Sequence, residues 1–389
     1  MFGPGALRGR VAALAAVIVC LLAAGTWIAL THAPAQAAGG ADSGQGGGAG
    51  HNQADPLRVL SVTPAPGATG VNGAAVLRVV FSAPLAADSP LPTLRPASAG
   101  SWRRGPANTI SFAPAQGFAE DEHFRLLIPG GSAGVRSAGG GLLASSRTVG
   151  FRTARYSTVR LDQLLAQLGY LPLTWTPAVP GSEPAAADAA AQRSAAVAPP
   201  AGTFSWRPGY PAGLRAFWNG GGSGSLIVTG AVMAFEADHG LTLDSAAGPQ
   251  VWNRLLAAVA AGQSNRHGYT YAVASQASPE TLTIWHDGQV VLRSPANTGI
   301  PVAPTTIGTA PVYLRYRFQI MQGTNPDGSH YADPVQFVAY FRAGEAVHYF
   351  PRYSYGYQQS LGCVELPSAA AARAWPYLTY GSLVTVTAP

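Results

Sequence analysis

Apolar residues alternate with polar ones in the first and last parts of this chain and switch to helical spacing between them, so burial must be divided among separate β and helical regions. In the first part, LRVLSV (Leu57 to Val62), AVLRVVF (Ala75 to Phe81), NTISFAP (Asn108 to Pro114) and HFRLLIP (His123 to Pro129) are short apolar runs separated by Pro, Gly and Asp turns. That spacing predicts an antiparallel β-sandwich over residues 56–154. Asp121, Glu122 and His123 are consecutive there, but neighbouring strand residues face opposite ways, so they read as a solvated turn and not as a metal site.

The period changes beyond Ala154. In VRLDQLLAQLGYLP, Leu161, Leu164, Leu165 and Leu168 share one helical face, and Gly169 follows as a C-terminal stop. Pro177 to Gly202 is rich in Ala and Pro and is expected to be an exposed, disordered insertion, 177–202. Helical patterning resumes from Thr229 to Val259, with Ala231, Val232, Met233 and Phe235 as a buried face, Gly240 as a break and Pro249 opening the next helix. From Gly268 the strands return in YTYAVASQ, TLTIWHDGQVVLRSPA, VYLRYRFQIMQ, PVQFVAYF and LVTVTAP, with a hairpin turn at His286 to Gln289 and one short helix from Ser368. The expected fold class is multi-domain and mainly β: a sandwich, a helical region over 156–262, and a β-rich domain over 268–389.

The N-terminus speaks to compartment. Arg8 and Arg10 precede an uncharged apolar run, Val11 to Leu30, long enough to span a bilayer, and small residues follow from Ala33 to Gly40. Residues 1–38 are expected to be a signal peptide or a membrane anchor, 39–55 a flexible Gly/Ala/Ser tether, and everything after them exported to the cell wall or the outer face of the cytoplasmic membrane. All 24 basic residues are arginine, and the net charge of +6 is scattered without a basic run, which argues against a nucleic-acid partner.

One cysteine remains beyond the apolar segment. Cys363, in SLGCVELP, has no second thiol to pair with once Cys20 is set aside in the apolar run, and an unpaired exported thiol points to a reactive group. A thiol becomes a good nucleophile when an imidazole takes its proton, and His348 stands fifteen residues upstream at the end of AVHYF. The competing reading for His348 is a histidine stacked among Tyr349, Phe350 and Tyr353. No HExxH or comparable ligand spacing occurs, so neither metal nor cofactor is expected.

Three resemblances follow from these residues. TPAPGATGV with FSAPL resembles the opening of bacterial immunoglobulin-like spacer modules. Leu164-Leu165, Leu168-Gly169-Tyr170, Gly230-Ala231-Val232, Phe235, His239-Gly240-Leu241, Asp244, Gly248-Pro249 and Trp252 resemble the three-helix peptidoglycan-binding repeat, which implies a wall glycopeptide ligand. Thr298-Gly299, Pro304-Thr305, Gly308-Thr309, His348, Ser360, Gly362 and Cys363 resemble the YkuD-type catalytic domain of L,D-transpeptidases over Tyr269 to Pro389.

The last resemblance implies an enzyme with Cys363 as nucleophile, His348 as base, the Tyr349 carbonyl orienting the imidazole, and backbone N–H groups at Leu361, Gly362 and Cys363 facing the oxyanion. The implied partners are peptidoglycan tetrapeptide stems, joined 3→3, with Ser360 and Leu361 at the substrate; a monomer is expected, and with Glu365 in place of a cation, Arg352 and Arg342 are the candidates nearest in sequence for the donor carboxylate, the competing reading for both being plain surface solvation. The chain departs from the family by Leu361 in place of a histidine, by Glu365 in place of Arg or Asn, and by a shorter His-to-Cys spacing. Water as acceptor would make it an L,D-carboxypeptidase. Loss of turnover would leave a wall-binding scaffold, and a sortase-like Cys–His enzyme is disfavoured because Arg373, the next arginine after Cys363, falls in an expected helix.

Overall fold

The computed structural model describes residues 55–389 except Ala107, Gln116, Gly222 and Ser223. The expected signal peptide or anchor and the tether up to residue 54 lie outside the described residues. Among the described residues, no helix is long and apolar enough to cross a membrane.

Eight strands come first: β1 (Val59–Thr63), β2 (Ala68–Val71), β3 (Leu77–Phe81), β4 (Thr93–Arg95), β5 (Gly100–Gly105), β6 (Thr109–Pro114), β7 (His123–Ile128) and β8 (Arg147–Thr153). They form two four-stranded sheets, ordered β1-β3-β6-β5 and β2-β8-β7-β4. Alternate residues such as Leu77, Val79 and Phe81 of β3 and Phe124, Leu126 and Ile128 of β7 turn inward to one core, while Arg78 and Arg125 turn out. Asp121 pairs with Arg152 and Arg155 at 2.8 and 3.0 Å, as befits an exposed turn.

Seven elements follow before the last domain: α1 (Thr158–Gln167), β9 (Leu173–Pro177), α2 (Ala189–Val197), β10 (Gly202–Trp206), the single-turn α3 (Ala212–Arg215), α4 (Leu226–Asp238) and α5 (Pro249–Ala260). The leucine stripe of α1 packs on Phe235 of α4 and Leu255 of α5, and Gly169 leaves α1 at φ 83°. The stretch expected to be a disordered loop is instead ordered, and the correction has local causes. Asp188 caps α2 by accepting from the N–H groups of Ala190 and Ala191 at 3.0 and 2.9 Å, and alanine is the strongest helix former. Arg193 then reaches the Tyr156 hydroxyl and the Asn253 side-chain oxygen at 3.0 and 3.2 Å, and β9 pairs antiparallel with β10 to close the stretch.

The remaining chain gives β11 (Thr270–Ser275), β12 (Thr281–His286), β13 (Gln289–Pro295), β14 (Gly308–Pro311), β15 (Leu314–Thr324), β16 (His330–Arg342), β17 (Glu345–Tyr349), β18 (Val364–Leu366), α6 (Ser368–Ala374) and β19 (Leu383–Thr387). A five-stranded sheet, β13-β12-β11-β19-β14, faces a four-stranded one, β15-β16-β17-β18. Between them Ala272, Ile284, Phe341, Val347, Val364 and Val384 form the domain core together with α6. The other face of the five-stranded sheet presents Tyr269, Tyr271 and Leu383 to the helices, so one cluster spans both regions.

That shared cluster requires close approach. A Cβ on Gly230 of α4 would sit 2.5 Å from the Gly381 carbonyl oxygen, and one on Gly381, at φ 79°, would sit 2.0 Å from the Gly230 carbonyl oxygen. Gly230→Ala should therefore destabilise the protein by roughly 1–3 kcal/mol despite the better helix propensity of alanine. A urea midpoint lowered at unchanged slope is the expected measurement; an unchanged midpoint would mean that the helix shifts freely on the sheet.

Candidate active site

Pairing between β17 and β18 places the two candidate groups. The strands run parallel with Val347 opposite Val364 and His348 opposite Glu365, so Cys363, one residue before β18, stands abreast of Ala346. Val347 and Val364 point into the domain core; Ala346 and Cys363 point the other way, into a small outer cluster with Val335, Val338 and Tyr340. His348, two residues beyond Ala346, shares that outer face. A two-residue offset on adjacent strands separates the Cα atoms of His348 and Cys363 by roughly 8 Å, which side chains can span.

The imidazole is held in one tautomer. His348 is 3% exposed, and its Nδ1 donates to the Tyr349 carbonyl at 3.0 Å, because a carbonyl can only accept. Nε2 therefore carries the lone pair, as a general base requires. Burial lowers the His348 pKa, while the Tyr349 carbonyl and the Glu365 charge act to raise it.

The thiol differs from expectation. Although Cys363 keeps partial exposure, its surroundings push it up to about 12, first by burial and then through the charges of Glu365 and Glu345, against a lowering hydrogen bond from the Ala346 backbone. Sγ contacts the Gly344 carbonyl at 3.8 Å, and no hydrogen bond joins it to His348. A thiol pushed up beside an imidazole pushed down favours the neutral forms of both groups.

The comparisons bear on this geometry. Residues 269–386 match the L,D-transpeptidase catalytic domain, YkuD. Comparison with curated proteins gave no match. Among solved structures, an L,D-transpeptidase from Mycobacterium smegmatis is 16% identical, covers 86% of this chain and 100% of its own, and superposes with a TM-score of 0.29. L,D-transpeptidase 3 from Mycobacterium tuberculosis, solved with a faropenem-derived adduct, is 15% identical over 85% of this chain and 98% of its own, with a TM-score of 0.29. The catalytic domain of the E. faecium L,D-transpeptidase is 25% identical over 30% of this chain and 96% of its own, with a TM-score of 0.28. The superpositions are loose, and the assignment rests on the family match.

Within the YkuD domain, several expected substrate contacts are engaged elsewhere. Ser360 is 1% exposed: its hydroxyl donates to the Cys363 carbonyl at 2.6 Å and accepts from the Gly362 N–H at 3.2 Å. Ser360 thus turns inward beneath the loop, and the Gly362 N–H expected to face an oxyanion has a partner inside the turn. Gly362 itself sits at φ 109°, a conformation that favours glycine. Arg352 is likewise taken: Nε and a terminal nitrogen grip the Glu365 carboxylate at 2.8 and 2.7 Å, the same group donates to the Gln359 carbonyl at 3.0 Å, and its cation lies over the Phe350 ring. It therefore neutralises Glu365 and is not a free cation for a substrate carboxylate. Arg342 donates to the Ile307 carbonyl at 3.4 Å and has no carboxylate partner among the described residues. Leu361 is 37% exposed at the rim.

Sequence reasoning missed the wall opposite the thiol. The β15–β16 hairpin packs Met321 and Val335 into the outer cluster, and the Asp333 charge acts on both His348 and Arg352. Among the described residues no group of three or more His, Cys, Asp or Glu side chains gathers to hold a metal ion.

The raised thiol makes a kinetic prediction. Alkylation of Cys363 by iodoacetamide should keep accelerating past about pH 10, above the ordinary cysteine range, whereas levelling near neutrality would reveal a resting thiolate. For His348 the sign is opposite to that of a salt-bridged histidine. Below about pH 6.5 the unfolded imidazole takes a proton that the folded one resists, so its contribution to stability is full above that pH and falls as pH drops toward the lowered folded value. Arg352→Met, which strands the 4%-exposed Glu365, should cost about 1–3 kcal/mol in denaturant titrations, with part recovered by adding Glu365→Gln.

Proposed function

We propose that the YkuD domain is a cysteine acyltransferase acting on peptidoglycan tetrapeptide stems outside the cytoplasm. The observation that carries this reading is the His348 Nδ1–Tyr349 carbonyl bond, which leaves the Nε2 lone pair on the sheet face that also bears Cys363.

Cysteine has a single side-chain torsion, and moving to another staggered position carries Sγ by roughly 3 Å, so leaving Gly344 for His348 needs no backbone change. In the proposed reaction His348 Nε2 removes the thiol proton as Sγ attacks the carbonyl of meso-diaminopimelate. The S–C bond forms, and the carbonyl oxygen becomes an oxyanion facing the N–H groups of Leu361 and Cys363, since the Gly362 N–H is held by the Ser360 hydroxyl. On collapse the bond to D-Ala breaks, and the departing amine takes the proton from His348. An amine of a second stem then attacks the thioester, yields its proton to His348, and releases the thiol with a 3→3 cross-link; water in place of the amine gives an L,D-carboxypeptidase. Because the resting thiol is protonated, proton transfer accompanies attack and does not precede it. Arg342 is the candidate for the donor carboxylate, and Leu361 lines the rim.

The sandwich, 56–154, is proposed as an immunoglobulin-like spacer, and the helical region, 156–262, as a peptidoglycan-binding module that presents the catalytic domain, 268–389, to its polymer. A second reading, an inactive wall-binding scaffold, is favoured by one observation: the thiol rests on Gly344 and not on His348.

Incubation with purified disaccharide-tetrapeptide, followed by mass spectrometry, separates these readings. Release of D-Ala with dimer formation by the wild-type protein and not by Cys363→Ala is expected. Release without dimers would identify a carboxypeptidase, and no cysteine-dependent change would leave the scaffold.

A further inference from the structure

Glu280 is a buried carboxylate that the proposed mechanism does not use. It is 2% exposed and has no cationic partner among the described residues, and burial raises its pKa against the two hydrogen bonds from Thr298. Both bonds come from one residue: the Thr298 N–H reaches Oε2 at 2.6 Å, and the Thr298 hydroxyl reaches Oε1 at 2.8 Å. A group buried without a counter-charge is costly, so its presence calls for a role that an apolar side chain could not fill.

The bonds continue to the thiol's own backbone. The Thr298 carbonyl accepts from the N–H groups of Gln359 and Ser360 at 2.9 and 3.0 Å, and the Ser360 carbonyl accepts from Ile300 at 2.9 Å. The Ser360 hydroxyl then donates to the Cys363 carbonyl and accepts from Gly362. Glu280 also pins the far end of the loop, donating its own N–H to the Gly356 carbonyl at 2.7 Å. Thr298 is 0% and Ser360 1% exposed, so the path from carboxylate to nucleophile is dry throughout.

We infer that Glu280 is a positioning residue for the Cys363 turn, acting through Thr298 and Ser360 by hydrogen-bond geometry and not by charge. The inference rests on the acyl-transfer reading for its catalytic consequence, but the positioning itself is measurable without catalysis. A glutamine at 280 can accept from the Thr298 N–H with its oxygen and donate to the Thr298 hydroxyl with its nitrogen, since a hydroxyl also accepts. It preserves the geometry and removes the charge. Alanine removes both.

The test compares wild type, Glu280→Ala, Glu280→Gln, Thr298→Val and the Glu280→Ala/Thr298→Val double variant. Acylation of Cys363 by a carbapenem, read by intact-protein mass spectrometry, should slow at least about tenfold in Glu280→Ala and recover to within about threefold of wild type in Glu280→Gln. The double variant should be no slower than the worse single one, as expected for residues on one path. Iodoacetamide, a small electrophile that loses iodide from its CH2 carbon and forms no oxyanion, should react with Cys363 at a nearly unchanged rate in every folded variant. Amide hydrogen exchange over residues 356–363 should accelerate in Glu280→Ala and stay near wild type in Glu280→Gln. Unchanged exchange in Glu280→Ala, Glu280→Gln as impaired as alanine, or additive losses in the double variant would each overturn the inference. If Glu280→Ala does not fold, Glu280→Gln and Thr298→Val decide: loosening of 356–363 in the glutamine variant, or none in the valine variant, overturns it. A wild-type protein that no carbapenem acylates counts against acyl transfer, and the exchange data then judge the positioning alone.

Discussion

A three-residue parallel pairing decides whether this chain has a site at all. The β17–β18 register sends Val347 and Val364 into the core and thereby sends Ala346, His348 and Cys363 outward. A slip of one residue in either strand would bury one reactive group and strand an apolar side chain outside, so the burial that stabilises the sheet also enforces the alignment of sulfur and imidazole. Parallel pairs cannot be joined by a tight turn, and the crossover here is the loop 350–363, whose shape must come from elsewhere. It comes from polar atoms: Asn297 exchanges backbone bonds with Glu365 at 2.9 and 3.0 Å, and its side-chain oxygen accepts from Gly356 at 2.9 Å.

Electrostatics and burial around the pair favour the neutral forms of both groups. Glu345 and Glu365 both oppose a thiolate, and burial opposes an imidazolium. The Arg352 guanidinium spends its bidentate grip on Glu365, pairing a carboxylate whose charge still acts on Cys363 and His348. In the proposed acyl transfer, charge develops only when a substrate carbonyl is in place to receive it.

Much of this was legible in the sequence, for reasons that differ by element. Strands β1, β3, β6 and β7 of the first region and β11, β12, β13, β15, β16 and β19 of the last alternate, and α1 and α5 carry apolar stripes with glycine or proline at an end, so periodicity located them; β2, β4, β5 and β14 are too short or too polar to show a period, and α4 is apolar on most sides. The α2 helix escaped because Ala-Ala-Ala-Gln-Arg-Ser-Ala-Ala-Val has little contrast between faces, and its order comes from a cap and from Arg193 reaching across to other segments. At the proposed site, Cys363 and His348 stood out because thiol chemistry needs a nearby base, and the Tyr349 carbonyl was singled out only by the family resemblance. The engagement of Arg352 by Glu365, the inward turn of Ser360 and the carboxylate of Glu280 were not, because each depends on which neighbour a polar atom meets after the loop has folded.

The helices and the catalytic sheet share one apolar cluster, with Tyr271 and Leu383 on one side and Leu214, Phe235 and Ile227 on the other. Severing the chain near residue 265 would leave a wet, greasy face on each product, so neither piece is an independent building block. Shuffling of modules between wall proteins, common for parts joined by loose linkers, would here have to move both together as a single heritable unit.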